Sequence, residues 1–406
     1  MTRRNPAVLL LLCTLSIARC LKGDAAQVRD SAGIQIVMNI SPSWLPAETL
    51  RLGKTPLLVI GTRPGTMYEL SRVAGAVRLT SRHIVVGDGA SRQLRFYDSL
   101  GTFISSVGRQ GNGPGEFQGL SKLQAIGGDT LVAGSDLRLS LFTGTGRAIR
   151  SIDPLAPPAQ LPPGNQMILT AFSSGTTIIG SEPHWRESNH PPQTGRRWTD
   201  SIHVGVFGEG NKLLTSLGRL PARVMEWRGF DLMLPTFSSE LLVASAGQFS
   251  YLGFGSEYSI RVYSSSGRLE RIIRRAWVPE RVDIDAWATQ WVKNADKLTA
   301  AEADAKRKEL RERPYAATVP AFAQLLADRA GRLWVRESHL ASFSWLRDPP
   351  FVASVWNVFS SAGKWLGNVE MPAQFLPTDI GSDYVLGVAR DHDGVETVVL
   401  YRLGVR

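Results

Sequence analysis

The chain has 406 residues, of which 43% are hydrophobic and 20% are charged, and its formal net charge is +10. This composition is typical of a globular protein with a large core and excludes an intrinsically disordered chain. The basic residues are scattered and form no dense run, so the charge predicts no nucleic-acid-binding surface.

The first twenty residues have the pattern of a secretory leader. Arg3 and Arg4 form a basic start, and residues 7–18 form an apolar run. That run is too short to span a bilayer but has the length of the apolar region of a signal peptide. We therefore expect residues 1–20 to direct the chain out of the cytoplasm.

Both cysteines, Cys13 and Cys20, lie in this leader, so we expect no disulfide in the body of the protein. Cys20 stands where a bacterial lipoprotein carries its lipidated cysteine, and "SIARC" resembles a lipobox except at Arg19. Three processing outcomes stay open: lipidation of Cys20, cleavage near "GDAAQ", or an uncleaved end. The predicted location is extracytoplasmic, either periplasmic or anchored to the outer membrane as a lipoprotein.

Beyond the leader and an N-terminal segment (21–66), residues 67–406 repeat one pattern of short apolar strands separated by turns. Strand residues alternate between apolar and polar, and the turns contain Gly, Asp and Ser. A further apolar stretch precedes each copy, so each unit predicts four strands. The clear copies are 84–107, 130–152, 249–273 and 332–369, and the weaker copies are 167–217 and 383–403.

Six such units predict an all-β fold, specifically a six-bladed β-propeller with four-stranded blades. The last unit lacks a fourth strand, which the N-terminal segment can supply through residues 33–39 or 56–61. Pairing the two ends of the chain in this way removes free sheet edges. A sandwich or two small barrels would also contain many strands, but neither explains the constant unit length and turn position.

Residues 283–313 interrupt the pattern between the fourth and fifth units with two predicted helices. Trp287 and Trp291 are four residues apart and therefore share a helix face. The sequence "TAAE" at 299–302 is a capping box, and Pro314 ends the second helix. The favoured interpretation is that the tryptophans pin this insertion to the propeller; the alternative is a lid over one mouth of the channel.

The stretch "GRQGNGPGEF" at 108–117 could be a phosphate-binding loop or a structural connector. A phosphate loop needs a Lys-Ser/Thr pair and a following helix. Here no such pair follows, Pro114 removes one N–H group, and Gly111, Gly113 and Gly115 do not have dinucleotide-binding spacing. The stretch instead predicts a connector between the first and second units.

Together with the strands before it, this connector resembles an NHL-type propeller repeat. The body is also similar to a group of exported bacterial six-bladed propeller proteins of unassigned function, notably in "VRDSAGIQIV", "DRAGRLWVR" and "GVARDHDGVETVVLYRL". The resemblance implies the fold and supplies no reaction. The residues that match the repeat are Asp88, Arg92, Phe96, Asp98, Gly101 and 111–117.

Related propeller enzymes hold a metal on their innermost strands. Lactonase-like propellers use carboxylate and amide oxygens for calcium, and peptidyl-glycine-lyase-like propellers use several histidines for zinc. The inner-strand candidates here provide no converging acidic set, and none of the six histidines has metal spacing. A segment with two histidines and two glutamates (181–192) is interpreted as a surface loop, and "DHDG" at 391–394 as a turn.

The sequence therefore favours a non-catalytic extracytoplasmic binding or scaffold module, a monomer without metal or cofactor. Its expected partner is an unknown protein, peptide or glycan. The alternative is a lactonase-like or peptidyl-glycine-lyase-like hydrolase or lyase that acts at the central channel. The candidate binding residues are Glu69, Lys122, Gln124 and Gln324 at the channel and Trp287 and Trp291 on the insertion.

Overall fold

The computed structural model describes residues 25–153, 160–182, 193–295, 298–343 and 349–405. The predicted leader with Cys20 and most of the 181–192 segment lie outside these ranges. Within them, none of the helices has the length and apolar character that a bilayer crossing requires. The described chain is predominantly β-strand, which confirms the predicted all-β class.

The described strands form six sheets, named S1 to S6 in chain order. The N-terminal strands are β1 Ala26–Ser31, β2 Ile34–Asn39, β3 Arg51–Leu52 and β4 Leu58–Ile60. Sheet S1 consists of β5 Val73–Arg78, β6 Ile84–Asp88, β7 Gln93–Tyr97 and β8 Phe103–Val107. Sheet S2 consists of β9 Lys122–Gly127, β10 Thr130–Ser135, β11 Arg138–Phe142 and β12 Ala148–Ile152.

The next two sheets contain more strands than the sequence predicts. Sheet S3 consists of β13 Asn165–Ala171, β14 Thr177–Glu182, β15 Arg197–Phe207, β16 Leu213–Arg228 and β17 Asp231–Met233. Sheet S4 consists of β18 Leu242–Ala246, β19 Phe249–Gly253, β20 Ser259–Ser264 and β21 Leu269–Arg275, extended by β2 and β1. The predicted four strands per unit are therefore wrong for S3, whereas in S4 the unit itself supplies four strands, β18 to β21, and the N-terminal segment adds two.

Two helices follow S4: α1 Ile284–Asn294 and α2 Ala300–Glu312. Sheet S5 consists of β22 Phe322–Ala327, β23 Leu333–Glu337, β24 Ser354–Phe359 and β25 Trp365–Met371. Sheet S6 consists of β26 Phe375–Ile380, β27 Tyr384–Arg390 and β28 Glu396–Gly404, completed by β3 and β4. The predicted capping box of the second helix is present. Thr299 Oγ1 accepts from the Glu302 backbone N–H, and the Glu302 carboxylate accepts from the Thr299 backbone N–H.

Each sheet contacts the next one along the chain, and S6 contacts S1. The hydrophobic core is correspondingly divided into clusters that each lie between two neighbouring sheets, rather than one central cluster. Both faces of the middle strands are therefore covered, as in β6, where all five residues are buried. This explains the continuous apolar runs such as "IVV", because a strand buried on both faces needs no polar alternation.

The N-terminal segment pairs with two different sheets. Strand β4 pairs antiparallel with β28, so residues 56–61 supply the outer strand that S6 lacks. Strand β2 instead pairs parallel with β21 and extends S4. Between them, the backbone N–H of Trp44 donates to the Leu366 carbonyl of β25 at 2.7 Å. Residues 25–60, here called the N-terminal belt, thus run along the outer sides of S4, S5 and S6.

The connector at 108–117 joins S1 to S2, as predicted. The Gly113 N–H donates to Glu116 Oε2 at 2.8 Å, which closes its turn. Phe117 is buried in the core between S1 and S2 and packs against Phe142, with ring centroids 5.7 Å apart. Gly108 has a φ of 95°, and a Cβ there would lie 2.6 Å from the Phe117 ring. The glycine is therefore required by this close packing.

Candidate functional site

Because the core lies between the sheets, the axis of the ring is left open. A cavity of about 940 Å³ occupies it, and the first strand of every sheet contributes to its wall. We call it the axial cavity. The first strands of S1 to S6 contribute, in that order, Ala74, Gln124, Leu169, Val243, Gln324 and Pro377 to the wall.

The wall of the axial cavity is mostly apolar, with a few polar groups. Two of these groups, Thr170 and Thr378, already have partners. Thr170 shares a hydrogen bond of 2.6 Å with Ser245, and Thr378 Oγ1 donates to the Ala76 carbonyl at 2.9 Å. Gln324 differs, because its Oε1 atom is buried and has no hydrogen-bond partner among the described residues. Gln324 therefore leaves one acceptor unsatisfied inside the wall, below the surface of the cavity.

Charged side chains surround the cavity at the edge where the first strands begin. Three pairs of opposite charge form there. Lys122 Nζ lies 2.5 Å from Asp136 Oδ1, Arg390 Nη2 donates to Glu396 Oε1 at 2.8 Å, and Arg223 pairs with Glu182. Three further charged residues complete this rim: Arg72, Arg92 and Glu240.

The rim pairs also join neighbouring sheets. Lys122 of S2 donates to the Ile168 carbonyl of S3 at 3.0 Å. Glu396 of S6 accepts from the backbone N–H of Val73 in S1 at 2.7 Å. Charges that are held by both an ion pair and the backbone keep a fixed orientation, so the rim is organised before any ligand arrives.

Glu240 and Arg223 titrate abnormally because the cavity wall removes part of their water. Burial raises the pKa of Glu240, and the positive charge of Arg223 partly opposes this. Burial likewise lowers the pKa of Arg223, against the effect of Glu240. Burial is the larger effect at Glu240, so the wall favours the protonated form of this carboxyl relative to a carboxyl in water.

Arg72 and Arg92 are the rim cations on S1. Arg92 Nε donates to the Gln118 carbonyl at 3.1 Å, and its Nη1 donates to Gln110 Oε1 at 3.0 Å. These acceptors are neutral, so they orient the guanidinium without compensating its charge. Arg72 is exposed at the cavity mouth directly before β5.

The structure brings three of the predicted channel residues together. Lys122, Gln124 and Gln324 all line the axial cavity. Glu69 does not line it, because the first strand of S1 begins only at Val73. Glu69 is exposed in the preceding segment, where its carbonyl accepts from Arg95 Nη1 at 2.7 Å.

The two predicted tryptophans lie away from the axial cavity. Trp287 is 6% exposed and packs edge-on against Phe237, with ring centroids 4.9 Å apart. Trp291 is half-buried against Phe351, at 6.4 Å between centroids, and Lys306 Nζ lies 5.4 Å from its ring. Both contacts are those of side chains that hold the helical insertion to the loops around it.

Among the described residues, no three His, Cys, Asp or Glu side chains are placed to hold a metal ion together. In the 391–394 turn, Asp391 Oδ1 accepts from the backbone N–H groups of Asp393 and Val395. This hydrogen bonding is that of the predicted turn. The 181–192 segment, apart from Ser181 and Glu182, lies outside the described ranges.

Sequence reasoning missed most of the rim. Arg72 and Glu240 stand directly before the predicted inner strands, whereas Arg223, Arg390 and Glu396 belong to second, third or fourth strands. The position of Arg72 and Glu240 was a detectable signal, since residues next to the start of an inner strand must lie at the mouth of the axial cavity. The pairing of Arg223 with Glu182 carries no local signal, because the partners come from different strands.

No protein-family model matches the chain. No curated protein matches it either. The predicted NHL-type repeat is therefore not supported by a sequence match.

Several solved structures have a similar overall shape. One is a candidate exported protein of Bacteroides fragilis, with 11% identity, a TM-score of 0.44, and coverage of 91% of this chain and 99% of that chain. A member of the DUF4221 family from Bacteroides vulgatus has 10% identity, a TM-score of 0.46, and coverage of 89% and 100%. A gluconolactonase of Xanthomonas campestris has 13% identity, a TM-score of 0.40, and coverage of 89% and 99%. At these TM-scores the likenesses carry no argument about activity.

Proposed function

We propose that this protein is an extracytoplasmic six-bladed β-propeller that binds a ligand in its axial cavity without converting it. The observation that carries the proposal is the cavity itself: about 940 Å³, with a wall contributed by all six first strands. That volume lies at the upper end of the range for small-molecule sites. The successive contacts of S1 to S6 and the return contact of S6 with S1 support the six-bladed architecture.

The chemistry of the wall favours binding over reaction. The apolar residues match the apolar part of a ligand, and Gln124 and Gln324 place two amide side chains in the wall. Lys122, Asp136 and the other paired rim charges already satisfy one another. Groups that are engaged in this way position a ligand by shape and charge.

Export is the other part of the proposal and rests on the predicted leader, residues 1–20. An extracytoplasmic binding module meets peptides, glycans and small envelope molecules. Of these, the apolar wall favours a ligand with a substantial apolar part, such as an apolar peptide segment.

Blocking the cavity tests this proposal. Val243 of β18 lines the cavity and is partly buried. We expect the wild type to bind Nile red, an uncharged apolar dye, and Val243→Trp to bind it at least about tenfold more weakly because the indole fills the cavity. Leu100→Trp is the control, since Leu100 is 73% exposed in the turn between β7 and β8. Equal dye binding by both variants would place the binding site elsewhere.

The alternative function, a lyase or hydrolase at the channel, makes a different prediction. A bound ligand that is recovered chemically unchanged after prolonged incubation supports the binding module. Conversion of the ligand, lost in Val243→Trp and retained in Leu100→Trp, would replace the binding proposal with the enzymatic one.

A further inference from the structure

We propose that the ligand of the axial cavity is an apolar chain that ends in a carboxylate, and that Arg72 and Arg92 bind this carboxylate. The inference rests on the proposed binding function and specifies its ligand class. It starts from the distribution of charge around the rim.

Every rim cation outside S1 has a carboxylate partner. These cations are Lys122, Arg223 and Arg390. Arg72 and Arg92 form no ion pair with a carboxylate among the described residues, although both lie at the cavity mouth. Two uncompensated cations on one side of a partly apolar cavity attract an anion to that side.

The opposite side of the mouth reinforces this polarity. Glu240 lies two residues before β18 of S4, and in a ring of six sheets S4 lies across from S1. When ionised, Glu240 repels the anionic end of a ligand and thereby favours binding of that end on the S1 side.

Arg92 is already oriented for a carboxylate. Gln110 and Gln118, on either end of the connector's turn, accept hydrogen bonds from its Nη1 and Nε atoms. A guanidinium that is fixed in place loses little rotational freedom when it binds a planar anion. The connector therefore has a second role beyond joining S1 to S2, which is to hold this arginine at the mouth.

The backbone conformation at both arginines determines which substitution is suitable for a test. Arg72 has a φ of 53° and Arg92 a φ of 56°, a region that glycine adopts without strain. Arg82 and four other described non-glycine residues share a positive φ, so this geometry does not by itself mark a site. Glycine removes either arginine side chain without adding backbone strain.

The residues of the cavity wall indicate the chemistry of the remainder of the ligand. Behind the two arginines the wall becomes apolar, through residues such as Val73, Leu123 and Leu326. An aliphatic acid and the C-terminus of an apolar peptide share the required chemistry, namely a carboxylate next to an apolar chain. Decanoate serves as a probe of that chemistry, and decanol is the matched probe without the charge.

The experiment compares these two probes by calorimetric titration. The wild type is expected to bind decanoate at least about tenfold more tightly than decanol, because charge-assisted hydrogen bonds form only with the carboxylate. The Arg72→Gly/Arg92→Gly variant is expected to lose that preference and to bind decanol unchanged. Arg82→Gly is the control: Arg82 also has a positive φ, 67°, but lies in the turn between β5 and β6, at the other end of the first strand.

The glycine substitutions also address folding, because they relieve a strained backbone. The melting temperature of the double variant is expected to stay within a few degrees of that of the wild type, so lost preference cannot be attributed to unfolding. Equal affinity of the wild type for decanoate and decanol overturns the carboxylate proposal and leaves cavity binding intact. If neither decanoate nor decanol binds while Nile red still binds, the carboxylate proposal is also overturned. If Nile red does not bind either, the proposed function itself is overturned.

Two peptides distinguish the sources of the carboxylate. A short apolar peptide with a free C-terminus, bound more tightly than its C-terminally amidated form, identifies the ligand as a peptide end. Equal, weak binding of both peptides beside tight binding of decanoate identifies an aliphatic acid. Preference for the amidated peptide over the free one contradicts the proposal.

Discussion

Asn39 shows how much one side chain contributes to the outer side of the ring. It is 1% exposed, and its Nδ2 donates to the Arg274 carbonyl of S4 at 3.1 Å and to the Gly363 carbonyl beside S5 at 3.0 Å. Its Oδ1 accepts from the backbone N–H of Trp365 at 2.7 Å. One amide therefore satisfies three backbone groups that belong to two different sheets.

Removing this amide is expected to destabilise the protein. Asn39→Ala leaves up to three buried backbone groups without partners, and we expect a loss of roughly 3 kcal/mol in the free energy of unfolding. Asn39→Asp is expected to cost at least as much, because it loses both donated bonds and buries a charge. Chemical denaturation measures both, with Asn294→Ala on the exposed end of α1 as the control. A loss below about 1 kcal/mol for both Asn39 variants would show that the belt contributes little.

At the scale of the element, the segment leading into α1 is held by a cluster of ionisable groups. His339 Nδ1 lies 3.2 Å from Glu280 Oε2, and His339 Nε2 lies 3.2 Å from Glu337 Oε2. Hydrogen bonding to Glu337 raises the pKa of His339, burial opposes this, and Glu280 adds to the rise. Burial works against ionisation of Glu337, but bonds from His339, Asn357 and Arg275 lower its pKa to about 2.

This cluster predicts a pH dependence with a definite sign. The folded pKa of His339 lies above its unfolded value, so its stabilising effect is complete below about pH 6.5 and is lost as the pH rises through the folded pKa. The unfolding free energy of the wild type should therefore fall by up to about 1 kcal/mol toward alkaline pH, since His339 is half-exposed. His339→Gln should lack that decrease between pH 6 and pH 9, as measured by urea denaturation. An identical decrease of the unfolding free energy with pH in both proteins would rule out the His339 cluster as the cause of the decrease.

Elements with local signals were predictable, and their partners were not. The alternation in "LRFYD" and the turn "DSLG" define β7 and β8, and Thr299 with Glu302 defines the start of α2. The unit at 167–217 predicted only parts of β15 and β16; their extensions, back to Arg197 and on to Arg228, were missed because polar residues and Pro221 break the strand pattern there. At the site, Gln124 and Gln324 could be predicted from the inner strands. The rim residues could not, because their prediction requires knowing which turns meet at the mouth of the cavity.

At the scale of the whole molecule, both ends of the chain close the ring. Ile60 of β4 is 1% exposed in the core between S6 and S1, where it packs with residues of both sheets. The sequence indicated two strands that could fill this role, 33–39 and 56–61. Only the tertiary arrangement selects between them, because both are short apolar stretches and pairing is a non-local property.

Two truncations separate the roles of the belt. Removal of residues up to Ile40 deletes β1 and β2 and exposes the edge of β21, but S4 keeps its own four strands. We therefore expect a folded protein of lower melting temperature that still binds Nile red and self-associates less than the longer truncation. Removal up to Gly61 also deletes β3 and β4 and exposes the edge of β28, and we expect self-association through that edge. Sedimentation velocity distinguishes the two. Identical behaviour of both truncations would contradict closure by β4.

The route of the belt also has a consequence for biosynthesis. Asn39 and its partner Gly363 are 324 residues apart, and β4 must wait for β28 at the far end of the chain. A ribosome releases the N-terminal strands first, so Ile60 stays solvated until nearly the whole polypeptide has been synthesised. The ring cannot close cotranslationally. A nascent chain that is open for this long is a suitable substrate for a translocation channel, which accepts only unfolded polypeptide.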